Sequence, residues 1–253
     1  MNYHGRIRSR EDFLQTFEVL PKCTAGYPVG IITVDLPYPK LPGNVANATT
    51  FPFPVRYQKV RFEIESLFEG KKEIEEIIVN AAKELEAEGV RAIAGACGYF
   101  AHFQQVVAEA VDIPVYLSSL CQIPLITMGL KKEQKILILA ASGKDLNQKL
   151  FGKLGIQADN CLIQDIGNLD SFAPIRWSGT RLDNKKLTED LVDLVRSQLS
   201  AHPETGAVLL ECSDLPPYAM SIQEATGIPV FDFNTMINWV ESAVVQRGYT
   251  GYL

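Results

Sequence analysis

Cys97 and Cys212 stand at matching places in two stretches of this 253-residue chain that read as copies of one another. The first runs V-R-A-I-A-G-A-C-G-Y and closes, past a helix-like run, on E-A-V-D-I-P-V at Val115. The second runs T-G-A-V-L-L-E-C-S-D and closes on E-A-T-G-I-P-V at Val230. A shift of 115 positions lays Cys97 on Cys212, Glu109 on Glu224, Ala110 on Ala225, and Ile113-Pro114-Val115 on Ile228-Pro229-Val230. One thiol per half, each at a strand-to-helix junction, predicts a pocket flanked by two sulfurs. Two such groups suit moving a proton from one face of a carbon to the other. A free thiol has a pKa of about 8.5, so only a few per cent is thiolate at neutral pH. A helix N-terminus stabilises an anion by up to ~2 kcal/mol, which makes an appreciable thiolate fraction the expectation at both cysteines. The competing use of free cysteine is as a small packing residue. That use is assigned to Cys23 before the first strand, to Cys121 after Ser118-Ser119, and to Cys161 at the start of a strand.

Proton removal beside a carboxylate builds enolate charge and needs fixed donors aimed at the carboxylate oxygens. The candidates are the amides of Gly98 and Ser213, the hydroxyls of Ser118, Ser119 and Ser142 at strand ends, and Asn44 or Asn47. Each has an ordinary alternative as a cap or turn residue. Asp214 either orients the Cys212 thiol or caps its own helix, and Asp35 either touches the site or caps the turn before Pro37. His102, five residues after Cys97, is expected to turn away from it. The chain has no G-x-G-x-x-G, no Walker-type loop and no His-x-His or H-x-x-x-H pair, so nucleotide, dinucleotide and metal chemistry are not indicated.

These residues need a scaffold, and its class is legible. Short apolar runs alternate with amphipathic ones, the pattern of a parallel α/β sheet. Strands are predicted at Val29–Val34, Ala92–Ala96, Pro114–Leu117, Ile136–Ala141, Cys161–Ile166, Ala207–Glu211 and Pro229–Phe233. Helices are predicted over Lys71–Glu88, stopped by Gly89, over Asn184–Ala201, and over about Thr235–Arg247. Element counts also approach an eight-fold βα barrel, but the repeat favours two lobes: residues 1–123 with 235–253 as the first, 124–234 as the second. Between Leu36 and Phe62, prolines 37, 39, 42, 52 and 54 predict one long stiff loop, either functional or a surface elaboration.

Composition sets the outer bounds. With 47% apolar and 21% charged residues a sizeable core is expected, and a net charge of −6 argues against nucleic acid or an anionic membrane as partner. No apolar run reaches bilayer length, the segment holding Arg6, Arg8, Arg10, Glu11 and Asp12 lacks a signal-peptide stretch, and five cysteines form no C-x-x-C. A cytoplasmic protein with free thiols is expected.

The paired cysteines, A-C-G-Y-F at 96–100 and L-E-C-S-D-L-P-P at 210–217 give the chain its family likeness. It resembles, over most of its length, the aspartate/glutamate racemase superfamily, which includes glutamate, aspartate and hydantoin racemases, maleate isomerase and arylmalonate decarboxylase. The resemblance implies two pseudo-symmetric α/β lobes, each a mainly parallel sheet flanked by helices, with the active site in the cleft between them. It implies a cofactor-independent racemase or epimerase, with Cys97 and Cys212 as acid/base residues on opposite faces of the α-carbon of a small carboxylate such as an acidic amino acid or hydantoin. Carboxylate binding would fall to Gly98, Tyr99, Ser213 and Asp214, and a homodimer is implied. Amino-acid racemases of this group often carry Cys-Asn-Thr and Cys-Thr-His or Cys-Thr-Glu. Here the sequences are Cys97-Gly98-Tyr99 and Cys212-Ser213-Asp214, so the substrate need not be a free amino acid. A decarboxylase or cis–trans isomerase, or a two-lobed carboxylate binder without catalysis, are the alternatives.

Overall fold

The computed structural model describes residues 7, 9–16 and 23–252, so Arg6 and Arg8 of the segment judged to lack a signal peptide lie outside the described residues. In chain order the elements are α1 (Arg10–Phe13), β1 (Val29–Val34), β2 (Val55–Val60), α2 (Ile64–Phe68), α3 (Glu75–Glu88), β3 (Ala92–Gly95), α4 (Gln104–Ala110) and β4 (Val115–Tyr116). There follow α5 (Ile123–Met128), β5 (Lys135–Ala140), α6 (Gln148–Lys153), β6 (Cys161–Asp165), α7 (Ala173–Arg176), α8 (Asn184–Ala201), β7 (Thr205–Leu210), α9 (Ala219–Thr226), β8 (Val230–Phe231) and α10 (Phe233–Val244).

The strands form two four-stranded sheets, ordered β2-β1-β3-β4 and β6-β5-β7-β8, with every pairing parallel. The two orders are the same pattern, so the repeat seen in sequence is a repeat of topology. Two open sheets replace the barrel alternative.

Strand β1 shows how burial on both faces shapes a central parallel strand. Val29 and Ile31 pack on one face with Phe233, Met236, Ile237 and Val240 of α10, while Ile32 and Val34 face the larger cluster. Gly30 lets α3 approach closely, since a Cβ there would meet Leu85 Cδ2 at 2.9 Å. Helix α3 buries Ile78, Ala81, Ala82 and Leu85 and ends at Gly89 in the left-handed conformation, φ +90°. Ile77, beside Ile78 on the same helix, is 40% exposed. Helix α8 begins where Asp183 accepts from Lys186 N at 3.0 Å and buries Leu187, Leu191 and Val195. The larger cluster is continuous, running from Ile32 and Ile93 beside the first sheet to Leu137 and Leu209 in the second.

The Leu36–Phe62 expectation needs a correction: it is not one loop but a loop followed by edge strand β2, registered Val29↔Val55 to Val34↔Val60. All five prolines lie upstream of it, and V-R-Y-Q-K-V carries no block to pairing. Its half-buried pattern is that of an edge strand, which has neither the continuous apolar run nor the clean alternation that marks a strand in sequence. Phe233, predicted to close the last strand, instead opens α10 behind its N-cap Asp232. Among the described residues no helix is long and apolar enough to cross a membrane.

Candidate active site

Both cysteines lie two residues beyond the carboxyl end of the third strand of their sheet, Cys97 after β3 and Cys212 after β7. That edge of an open parallel sheet is where ligands bind. The backbone repeats there as well: Ala96 N donates to Ile32 O and Glu211 N to Leu139 O, at 2.9 and 3.0 Å. The two thiols line one small cleft, about 70 Å³, with Thr33, Tyr38 and Tyr99 from the first half and Glu211, Asp214 and Arg176 from the second. Cys97 is partly buried, Cys212 buried, and all five cysteines are free.

The helix-assisted thiolate expected from sequence is not what the cleft provides. Cys97 caps a 3-10 turn, Gly98–Phe103, while Ser213–Leu215 separate Cys212 from the turn Pro216–Tyr218. Neither thiol sits on an α-helix start. Burial first, then the Glu211 carboxyl, pushes Cys97 well above the usual thiol range, with the Tyr99 N–H and Arg176 opposing. Burial, then Asp214 and Glu211, does the same to Cys212.

Two buried carboxyls dominate the electrostatics, and they are partnered very differently. Asp214 receives hydrogen bonds from Asn44 Nδ2, from the Tyr38 hydroxyl at 3.2 Å and from the Cys212 thiol at 3.4 Å. Burial raises its carboxyl in spite of these donors. Glu211 is fully buried; Oε2 accepts only from Ala141 N, at 3.3 Å, and Oε1 has no partner among the described residues. Burial lifts Glu211 to about 8, Asp214 adding to the effect and the Ala141 N–H opposing it. Its Oε1 lies over Gly98, where an added Cβ would come within 1.8 Å.

Among the residues lining the cleft, Arg176 is the one cation. Its guanidinium lies 4.7 Å from the Phe68 ring centroid and 4.3 Å from that of Trp177, and its Nη1 is 3.4 Å from Glu65 Oε1. Beside it, Ser178 holds φ +55°, a left-handed conformation shared by no other described residue except glycines.

The structure distributes the sequence candidates unevenly. Cys97, Tyr99, Cys212, Ser213 and Asp214 line the cleft. Tyr99 also crosses to the other half, its hydroxyl donating to Ser142 O at 2.8 Å and accepting from Ser142 N at 2.9 Å. Ser213 Oγ donates to Ala96 O at 2.8 Å, tying the two cysteine segments together. Gly98, Asn44, Ser118, Ser119 and Ser142 are not among the lining residues. Asn44 braces Asp214, Ser118 accepts from Leu120 N, Ser119 donates to Leu210 O, and Ser142 Oγ donates to Asp145 at 2.6 Å. Asn47 serves its own loop, donating to Lys40 O, and Asp35 pairs with Arg61 at 2.8 Å. His102 is buried against Phe68 O. Cys23 is exposed rather than packed, because the irregular segment before β1 leaves it on the surface. The sequence reading missed Glu211, Arg176 and Tyr38. Glu211 carried a signal: a carboxylate inside the apolar run A-V-L-L-E-C.

Comparison with known proteins places this architecture. No family model matches the chain. Unliganded arylmalonate decarboxylase superposes with TM-score 0.56 at 20% identity, over 88% of this chain and 94% of its own. Aspartate racemase of Picrophilus torridus gives 0.52 at 20% identity, over 87% and 94%, and allantoin racemase of Pseudomonas fluorescens 0.53 at 16%, over 85% and 90%. The two-lobed fold is the one these decarboxylase and racemase structures share. In sequence, the dimethylsulfoniopropionate lyase of Durusdinium sp. clade D is 31% identical over 216 residues, 81% of this chain and 70% of that protein. Dimethylsulfoniopropionate lyase 3 of Emiliania huxleyi is 29% identical over 231 residues, 87% of this chain and 60% of that protein. The chain belongs to the family of these dimethylsulfoniopropionate lyases, and it spans about three fifths of the length of the Emiliania relative.

Proposed function

We propose that this chain is a cofactor-independent lyase that removes the α-proton of a small zwitterionic carboxylate and expels a sulfonium group from the β-carbon, dimethylsulfoniopropionate being the first substrate to try. The observation that carries this reading is one cleft lined by two thiols, two buried acids and a single arginine, in a chain whose relatives bear that lyase name. Arg176 is the partner for the substrate carboxylate, neutralising charge as the α-carbanion develops. A thiolate takes the α-proton, the C–H electron pair becomes the new C=C bond, and the β-carbon–sulfur bond breaks with its electrons leaving on sulfur. The products are acrylate and dimethyl sulfide, with the proton left on the thiol. Cys97, with the Tyr99 N–H and Arg176 favouring its anion, is the base. Cys212, whose S–H points at Asp214, is the thiol held protonated. An onium head entering beside the two acids lowers both thiols toward neutrality, the reverse of what burial does.

The symmetric placement of the cysteines favours a second reading, the 1,1-proton transfer of a racemase or epimerase. One experiment separates the two. The purified chain is incubated with dimethylsulfoniopropionate in D2O, headspace gas is sampled for dimethyl sulfide, and the solution is followed by proton NMR. Equal amounts of acrylate and dimethyl sulfide support the lyase. Washout of the α-proton with the carbon–sulfur bond intact refutes it in favour of the second reading, and no change in either signal sinks both for this substrate. A homodimer in a cytoplasmic setting, with lobes dividing at 123/124 and 234/235, completes the proposal; light scattering in solution tests the dimer.

A further inference from the structure

Of the two buried carboxyls in the cleft, Asp214 has spent both oxygens, on Asn44, Tyr38 and the Cys212 thiol. Glu211 has not. Its Oε1, packed over Gly98, lacks any hydrogen-bond donor among the described residues, although Glu211 lines the cleft. A buried acceptor without a donor is costly, and an occupant that supplies N–H groups would be the usual remedy. A permanently charged onium group has no N–H or O–H to give. It recognises a carboxylate by charge alone, so it needs an oxygen that no donor already holds.

We propose that Glu211 is the specificity-determining residue for a permanently cationic head on the substrate, and that it gives up a proton when that head binds. The inference rests on reading the cleft as the reaction site, and adds the class of cation it accepts and the group that selects it. The titratable groups that line the cleft with Glu211 are Cys97 and Tyr99 from the segment after β3, and Cys212 and Asp214 from its own strand end. Arg176 from α7 and Tyr38 from the loop after β1 complete the set. Arg176 is the only cation among them, placed against Phe68 and Trp177 and paired with Glu65, so it does not neutralise Glu211. With the cleft empty, Glu211 holds its proton at neutral pH because its carboxyl titrates near 8. An onium ligand favours the ionised form, so binding and deprotonation are linked. In the second half Glu211 occupies the place that Ala96 holds in the first, so the repeat itself requires no acid here.

The test uses 3-(trimethylammonio)propionate and its uncharged carbon isostere, 4,4-dimethylpentanoate, titrated calorimetrically into the whole chain from pH 6 to 9. The onium ligand should bind more tightly than the isostere, with an affinity rising up to about tenfold per pH unit and levelling near 8. Repeating the titration at pH 7 in buffers of different ionisation heat should show a proton released. In Glu211→Gln both the preference for the onium ligand and the levelling near 8 should vanish. Equal affinity for the two ligands, no proton release in the wild type, or a pH profile unchanged in Glu211→Gln overturns the proposal. The wild-type measurements need no variant to fold. Onium binding with proton release but no acrylate leaves this inference standing and removes the lyase reading; lyase turnover with pH-independent onium binding does the reverse.

Discussion

The two cysteine segments share a backbone and differ in nearly every side chain around the sulfur. Ala96-Cys97-Gly98-Tyr99 in the first half is matched, residue for residue, by Glu211-Cys212-Ser213-Asp214 in the second. The first segment contributes no carboxyl, and its one glycine makes room for the other half's acid. The second brackets its thiol with two. A duplicated scaffold therefore presents two sulfurs in equivalent places but in unequal fields. Inversion needs two interchangeable acid/base groups; elimination needs one base and tolerates asymmetry. The inequality is what favours elimination.

The largest test of that inequality is the pair of serine replacements. Cys97→Ser should lower turnover of dimethylsulfoniopropionate by ~10³-fold, whereas Cys212→Ser should cost less by at least about tenfold. Steady-state release of dimethyl sulfide measures both, and equal losses would restore the symmetric two-base picture. Next comes Arg176. Arg176→Gln should raise KM tens of times, by about 2 kcal/mol of lost carboxylate pairing, whereas Glu65→Gln, which removes an exposed carboxylate from its pair with Arg176, should change it less than about threefold.

Gly98→Ala and Ser213→Ala compare the two halves at one repeat position. The first drives a methyl into Glu211 and should destabilise the fold by ~1–3 kcal/mol. The second loses the hydrogen bond to Ala96 O and should cost about 1 kcal/mol; urea unfolding reads both. The remaining effect is on pH dependence. Native Glu211 keeps a proton that the unfolded chain releases between its ordinary 4.5 and about 8, so the native state binds more protons there and stability falls as pH rises. The slope is up to ~1.4 kcal/mol per pH unit from this group. Glu211→Gln should flatten it in unfolding curves taken at pH 5, 6, 7 and 8.

Much of this arrangement was legible in the sequence because it is local or repeated. Helix α8 has the residue range its apolar spacing predicts, and the 115-residue repeat located both cysteines. What was not legible depends on contacts between distant segments. Strand β2 is held by β1 rather than by its own pattern. Arg176 and Tyr38 reach the cleft from segments outside the repeat, with no spacing to announce them. Glu211 was hidden by the repeat itself, since alignment sets it opposite an alanine and draws attention to the cysteine beside it. The thiol acidity expected of a helix start failed because short 3-10 turns stand where α-helices were expected, and because burial outweighs them.

The apolar cluster that passes from the first sheet into the second without a break has a consequence for how the molecule comes apart. Cutting the chain between the sheets would strip water-averse surface bare on both fragments, so neither should persist alone as a soluble folded unit. Denaturation should then proceed as one cooperative event, and two complementary fragments mixed together should regain structure only as a pair.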